Sequence, residues 1–401
     1  MKICYIADIQ NPHSRRWAGD FAALGHEVLV LSDADAPRGD SPPKGVRVAT
    51  PRWRQWEKIL AFKVYPPPYG NNRWKYLPYR RALGTFEPDL IHGMEALYNG
   101  YTTAKLLGDQ GPPRILMPWG GDIACTPFES PRARNLVEFA LHHAEHIVGN
   151  MPTLPDFLNA HFGVPREKVS GFSWGVDLAI FRDGLAAEAE ALRERLGVPP
   201  GAAVVLSPRN FAPYWGIETI VHSAPEVAKR LPNVFFVFLT GAGDKKFVEE
   251  SALWLESRGI RHHVRVVEET LSPPEMAALF NLADVFVTVP ETDFLAQTLL
   301  EGMACGCVPI CRDLEAYRAR VEESVTGRYV AQPFGPESLA NAILDTLGDR
   351  VRLREMSANA AAQAIRLDDW RTGLRKMAEV YARVTGREEF LIPASAQTGT
   401  P

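Results

Sequence analysis

The sequence predicts an α/β protein built from two doubly wound, Rossmann-like halves, and three observations carry that reading. The chain has 401 residues, more than one hydrophobic core usually organises, so two domains of roughly 200 residues are the starting expectation. Short apolar runs, each followed by a turn and an amphipathic stretch, recur along its length, which is the pattern of parallel βαβ units. The pattern pauses at residues 183–201, where an Ala/Glu/Arg-rich helix runs into Gly197-Val198-Pro199-Pro200-Gly201, a stop signal of linker composition. The domains are therefore expected at 1–190 and 191–368, followed by a last helix at 369–388 and a disordered tail at 389–401.

The strands of the first half are read at residues 3–7, 27–31, 46–49, 90–92, 114–118 and 146–148, with amphipathic stretches at 15–24 and 136–143. The second half restarts the pattern with strands at 203–206, 234–239, 264–267, 284–289 and 308–311. Helices are read there at 217–230, 245–258, 273–282, 295–304 and 336–347. Ligands of such sheets bind beyond the carboxyl ends of the strands. In a two-lobed arrangement both sets of ends are expected to face one central cleft.

Composition excludes several classes. Hydrophobic residues make up 46% and charged residues 23% of the chain, near globular averages, so neither wholesale disorder nor a coiled coil is indicated. A formal net charge of −4 argues against nucleic-acid binding driven by global electrostatics. Met1 leads directly into the apolar run from Ile3 to Ile6 without a basic segment or cleavage site, and no apolar run is long enough to span a bilayer. A cytoplasmic protein is expected. Five cysteines, Cys4, Cys125, Cys305, Cys307 and Cys311, suit a reducing compartment. The last three lack the paired spacing and histidines of a zinc site, so buried packing is expected and no metal.

The most informative stretch is 293–309. It follows a strand end, and Asp293 and Glu301 lie eight residues apart, the first just before a helix and the second on its third turn. A helix N-terminus offers unpaired N–H groups and a positive dipole end that suit diphosphate oxygens, while carboxylates suit the hydroxyls of a hexose or a ribose. Taken alone, the pair is also what a capped, solvated helix would display.

The surrounding residues decide between these readings. TDFLAQTLLEGMACGCVPI, residues 292–310, resembles the donor-site signature of the retaining family-4 glycosyltransferases, in a branch with Asp rather than Glu at the first acid. The resemblance implies the GT-B fold and transfer of a glycosyl group from a nucleoside diphosphate sugar, of UDP or GDP type, with no further cofactor. It implies that Asp293 touches the donor sugar, that Glu301 touches the ribose, and that the amides of Phe294, Leu295 and Ala296 hold phosphate oxygens. Ser207-Pro208-Arg209 resembles the family's strand-end Arg, whose planar, permanently charged group grips the diphosphate. The Lys that normally follows before a Gly is replaced here by Trp215, before Gly216. Gly241-Ala242-Gly243 resembles the family's Gly-rich turn, where absent side chains allow close approach, and Val267 lies on the strand whose main chain reads the base.

In the first half, the absence of a GxGxxG fingerprint after the first strand argues against a nicotinamide or flavin dehydrogenase. His13-Ser14-Arg15-Arg16-Trp17 resembles the branch's HTRRW-type loop, which places His13 and Arg16 on the acceptor side. Trp119-Gly120-Gly121-Asp122 resembles the WGxD variant, with Trp119 where many members carry a His. Asp122 and His92 are candidates, with Asp293, for the catalytic set, as groups that orient or exchange protons. Phe172-Ser173-Trp174-Gly175-Val176-Asp177 resembles the family's stretch near the interdomain crossing.

Between Arg52 and Arg81 stand eight Lys or Arg residues against the single acid Glu57, interleaved with eight Trp, Tyr or Phe. This composition suits an anionic acceptor or peripheral contact with a membrane surface. The sequence thus predicts a retaining, metal-independent glycosyltransferase. The alternatives are a GT-B sugar-nucleotide epimerase and a sugar-nucleotide-binding protein without turnover. The sugar, base and acceptor are not legible.

Overall fold

The computed structural model describes residues 1–33, 41–52, 76–106, 111–241 and 243–392. The chain divides into two compact units, the first comprising Met1–Phe172 and Leu374–Pro401, the second Ser173–Gly373.

The first unit holds strands β1 (Lys2–Ile6), β2 (Glu27–Leu31), β3 (Val46–Ala49), β4 (Leu90–Met94), β5 (Arg114–Met117), β6 (His146–Gly149) and β7 (Val169–Gly171). They form a seven-stranded sheet in the order β3-β2-β1-β4-β5-β6-β7, parallel throughout, with Ile3 beside both Val28 and Leu90. Sheets covered on both faces need near-continuous apolar strands rather than alternation. The sequences CYI and VLVL provide them, and both are buried. Helix Pro12–Ala23 is started by Asn11, whose side chain accepts from the His13 N–H, and it buries Ser14, Trp17, Ala18 and Phe21, one stripe at helical spacing. Strand order reverses between β1 and β4, the switch point of this sheet.

The second unit repeats the plan with β8 (Ala203–Ser207), β9 (Val234–Leu239), β10 (Val264–Val267), β11 (Val285–Thr288), β12 (Val308–Cys311) and β13 (Arg328–Tyr329). Their order is β10-β9-β8-β11-β12-β13, so this switch point lies between β8 and β11. One core layer gathers Leu192, Leu196, Phe280, Phe286 and Met303, and the other Ile217, Val221, Phe236 and Ile343. Cys305, Cys307 and Cys311 are buried free thiols in the first layer, and burial pushes all three up.

Four differences from the sequence reading have physical causes. The units part at Phe172/Ser173, not near residue 190. Val176 exchanges backbone hydrogen bonds with Asp368 and Trp370, and helix Ala186–Leu196 contributes Leu192 and Leu196 to the second core, so the linker-like stretch belongs to that core. Residues 389–392 are not a loose tail: Phe390 is fully buried, stacked on His26 and edge-on to Tyr381. Strands β7 and β13 have only three and two residues, too few to make a pattern. Helix Arg350–Leu367, eighteen residues, was not foreseen, because after Leu353 and Met356 its buried face continues only with Ala360, Ala361 and Ala364. The last helix, Trp370–Thr385, begins in the second unit and ends in the first. Residues 393–401 lie outside the described residues.

Candidate functional site

At the switch point of the second unit, Ser207 ends β8 and the chain turns so that Arg209 reaches the segment after β11. The Arg209 guanidinium pairs with Asp293, Nη2 to Oδ2 at 2.5 Å, and Nη1 donates to Thr298 Oγ1 at 3.1 Å. Both members of the pair are only about a tenth exposed, at 11% and 12%. The buried Arg209 Nε has no hydrogen-bond partner among the described residues, which is rare for an interior donor. Beneath the guanidinium lies the Trp215 ring, 3.7 Å from Cζ to its centre.

Asp293 is further held by the Tyr317 hydroxyl, which donates to Oδ2 at 2.7 Å, and by the Phe294 N–H, which donates to Oδ1 at 2.9 Å. Burial raises its carboxyl above the usual range, against the pull of Arg209 and these donors. Tyr317 was missed in the sequence. It is fully buried, twenty-four residues along the chain, and only the fold brings it here.

Helix Gln297–Ala304 starts directly after this segment, with Ala296 at the N-cap and no side chain capping it. Phe294, Leu295 and Ala296 bury their side chains and lead into the helix start, the Phe294 N–H being engaged by Asp293. Glu301 lies one turn before Cys305, the C-cap of the helix, and its charge adds to the burial that raises that thiol. Gly241 has φ +52°, and a Cβ there would meet Asn210 Oδ1 at 2.1 Å; one at Gly243 would meet the Phe211 and Thr240 carbonyls within 2.7 Å. The turn thus requires glycine at both positions. The Val267 carbonyl accepts from the Thr240 N–H at 3.0 Å, so that oxygen is already engaged. A separate groove of about 590 Å³ in this unit, lined by Arg328, Phe334, Glu337 and Asn341 among others, contains none of these residues.

In the first unit the acceptor-side candidates come together. The His13 ring stands edge-on to Trp119, with ring centres 6.3 Å apart, and Arg16 acts on His13 by its charge. Burial, aided by Arg16, lowers His13 to about 4, so it is neutral at pH 7. Asp122 is engaged by backbone donors. Oδ1 accepts from the N–H groups of Trp119 and Gly120 at 2.9 and 2.8 Å, and Oδ2 from that of Ala96 at 2.6 Å. Its carboxylate ties the end of β5 to the turn after β4. Glu95 beside it, at φ +79°, accepts from the N–H groups of Leu97, Tyr98 and Asn99. Burial and the Asp122 charge raise Glu95 to about 7.

His92 is a core residue. It is fully buried on β4, its Nδ1 is 2.6 Å from the Tyr381 hydroxyl, which is itself 3.1 Å from that of Tyr5. Burial lowers it to about 3. Side chains alternate across a strand, and residue 92 faces the last helix. Of the basic, aromatic stretch, residues 53–75 lie outside the described residues. Arg80 donates to the Leu106 carbonyl and Arg81 to that of Arg52. Among the described residues no helix is long and apolar enough to cross a membrane.

Two doubly wound parallel units in one chain, the second with an arginine and a helix start at its switch point, define the GT-B class of fold. The chain superposes on Anabaena HepE, solved with UDP and glucose, with a TM-score of 0.78 at 19% identity, covering 96% of this chain and all (100%) of that one. It superposes equally on sucrose-phosphate synthase of Thermosynechococcus elongatus, with a TM-score of 0.78 at 18% identity over 96% and 99% of the two chains. Residues 11–180 match the family described as Glycosyltransferase Family 4, and residues 188–364 that described as Glycosyl transferases group 1. The chain belongs to the family-4-like glycosyltransferases. It is 28% identical to the D-inositol 3-phosphate glycosyltransferase of Thermobispora bispora over 64% of this chain and 60% of the relative. It is 25% identical to the alpha-galactosylglucosyldiacylglycerol synthase of Streptococcus pneumoniae over 54% and 55% of the two. The matched region therefore spans about 60% of the first relative's length and about half of the second's.

Proposed function

We propose that the chain transfers a glycosyl group, with retention at the anomeric carbon, from a UDP-sugar to a hydroxyl acceptor. The observation that carries this is the buried Arg209, held by Asp293, Thr298 and Trp215 and with one N–H unpartnered, at the switch point before an uncapped helix start. In this reading Arg209 and the helix start at residues 295–297 take the diphosphate oxygens and stabilise the charge that develops as the bond to the sugar breaks, while the Phe294 N–H, expected to share that task, holds Asp293 instead. Asp293 accepts from a hydroxyl of the donor sugar and Glu301 from the ribose. The choice of UDP is supported by HepE, solved with UDP and with UDP-glucose.

His13, Arg16 and Trp119 form the acceptor side of the proposal. Asp122 serves there as a positioning residue, because its oxygens hold the main chain at Trp119 and Gly120. Contact of residues 52–81 with an anionic membrane surface at the cytoplasmic face belongs to the same proposal, and sedimentation with anionic vesicles checks it. The test of the reaction is nucleotide release from UDP- and GDP-sugars with and without candidate acceptors, the products weighed by mass spectrometry. Acceptor-dependent UDP release, undiminished by EDTA because Arg209 and backbone amides supply the positive charge, is the expected result. Sugar interconversion without an acceptor would instead mark an epimerase.

A further inference from the structure

We propose that Trp215 is a positioning residue of the donor site, an aromatic platform that fixes the plane and position of the Arg209 guanidinium for the diphosphate. The inference rests on the reading of Arg209 as the diphosphate ligand and goes beyond it by naming what aims that group.

A flexible arginine is a poor phosphate clamp unless its fork is held in advance, since ordering it on binding weakens the complex. Here one face of the guanidinium lies on the Trp215 ring at 3.7 Å, a distance at which the cation and the ring's negative face attract and are also in van der Waals contact. Nη1 and Nη2 are fixed sideways by Thr298 and Asp293. Nε is buried without a hydrogen-bond partner among the described residues, so the orientation of the group rests on the ring and on these two contacts.

The platform is itself built in. Residues Pro213–Trp215 form a single 3-10 turn. The Tyr214 ring stands edge-on to Trp215 at 4.6 Å, and its hydroxyl donates to the Thr292 carbonyl at 2.7 Å, one residue before Asp293. Gly216 closes the turn at φ +69°, where a Cβ would lie 2.3 Å from the Val289 carbonyl oxygen. The turn after β8 is thereby pinned to the segment after β11 at two points, and the indole sits between them.

The experiment measures binding of UDP, pyrophosphate and uridine by calorimetry to the full chain and to W215L, W215F, R209K and the W215L/R209K double variant. We expect W215L to weaken UDP and pyrophosphate in parallel by about 3- to 30-fold and to leave uridine unchanged. W215F, which keeps a ring, recovers part of the loss. The double variant is expected to be little worse than R209K, since a residue acting through Arg209 is coupled to it. Weakened UDP and uridine with unchanged pyrophosphate would make Trp215 a base-stacking group and overturn the proposal, as would additive effects or an unchanged W215L. If W215L does not fold, Y214F, which removes only the hydroxyl bound to Thr292, is expected to weaken UDP and pyrophosphate together; selective loss of uridine overturns it. A wild-type chain that binds none of the three fails the donor-site reading itself, whereas UDP binding indifferent to Trp215 leaves that reading intact.

Discussion

Arg209 and Asp293 face each other in an environment that excludes most water, so each depends on the other. Removing one partner of a buried pair leaves an uncompensated charge, typically at a cost of about 3–5 kcal/mol. Arg209→Ala is therefore expected to lower thermal stability as well as abolish donor binding, and differential scanning calorimetry beside binding separates the two effects. Asp293 carries a pH dependence. Its pKa is raised by burial, so protonation begins at a higher pH than for an ordinary Asp, and the protonated form no longer accepts from a sugar hydroxyl through both oxygens. Turnover should fall on mild acidification, and Asp293→Asn should be impaired at every pH with that acid limb missing. His92 makes a stability prediction. Its folded pKa, about 3, lies below the usual value near 6.5, so the neutral form stabilises the fold above 6.5 and that contribution is lost as pH falls toward 3. His92→Leu should cost about 1 kcal/mol at pH 7 through the lost bond to Tyr381. Its unfolding temperature should depend less steeply on pH between 6.5 and 4 than the wild type's.

At the level of elements, the turn Pro213–Gly216 and the helix start at Gln297 set the geometry of the donor site. Gly216→Ala combines a left-handed backbone with a Cβ pressed on the Val289 carbonyl and should destabilise by about 1–3 kcal/mol, read as a lower denaturation midpoint. Strands β2, β9 and β12 were legible to the residue because covered strands read as apolar runs between turn signals, and the edge strands β3 and β10 because valines flank one exposed arginine in each. Of the site, Arg209 and Asp293 were legible because the segments after β8 and β11 carry the residues of the family resemblance. Tyr317 was not, and neither was the use of Trp215 as a platform, because both depend on contacts between segments distant in sequence. His92, at a strand end, fitted either a catalytic group or a core histidine. Its burial follows from Tyr381, almost three hundred residues later, which no local pattern reveals.

For the molecule as a whole, the chain passes from the first unit to the second at Phe172 and returns at Leu374. Its last segment is part of the first unit's core: Met377, Tyr381 and Phe390 are fully buried, and Arg383 donates to His146 at 2.9 Å. Truncation after residue 373 should therefore unfold the first unit, seen as loss of protease resistance in residues 1–172 while 173–373 persist. The central claim is that the second unit's switch point binds a nucleoside diphosphate through Arg209. Calorimetric titration of UDP and GDP into the wild-type chain and R209K tests it most directly. Lysine keeps the charge and loses the planar fork, so the account predicts saturable binding to the wild type, weakened at least about tenfold in R209K, while the thermal midpoint changes little. Absence of binding by the wild type, or equal affinity in R209K, would contradict it.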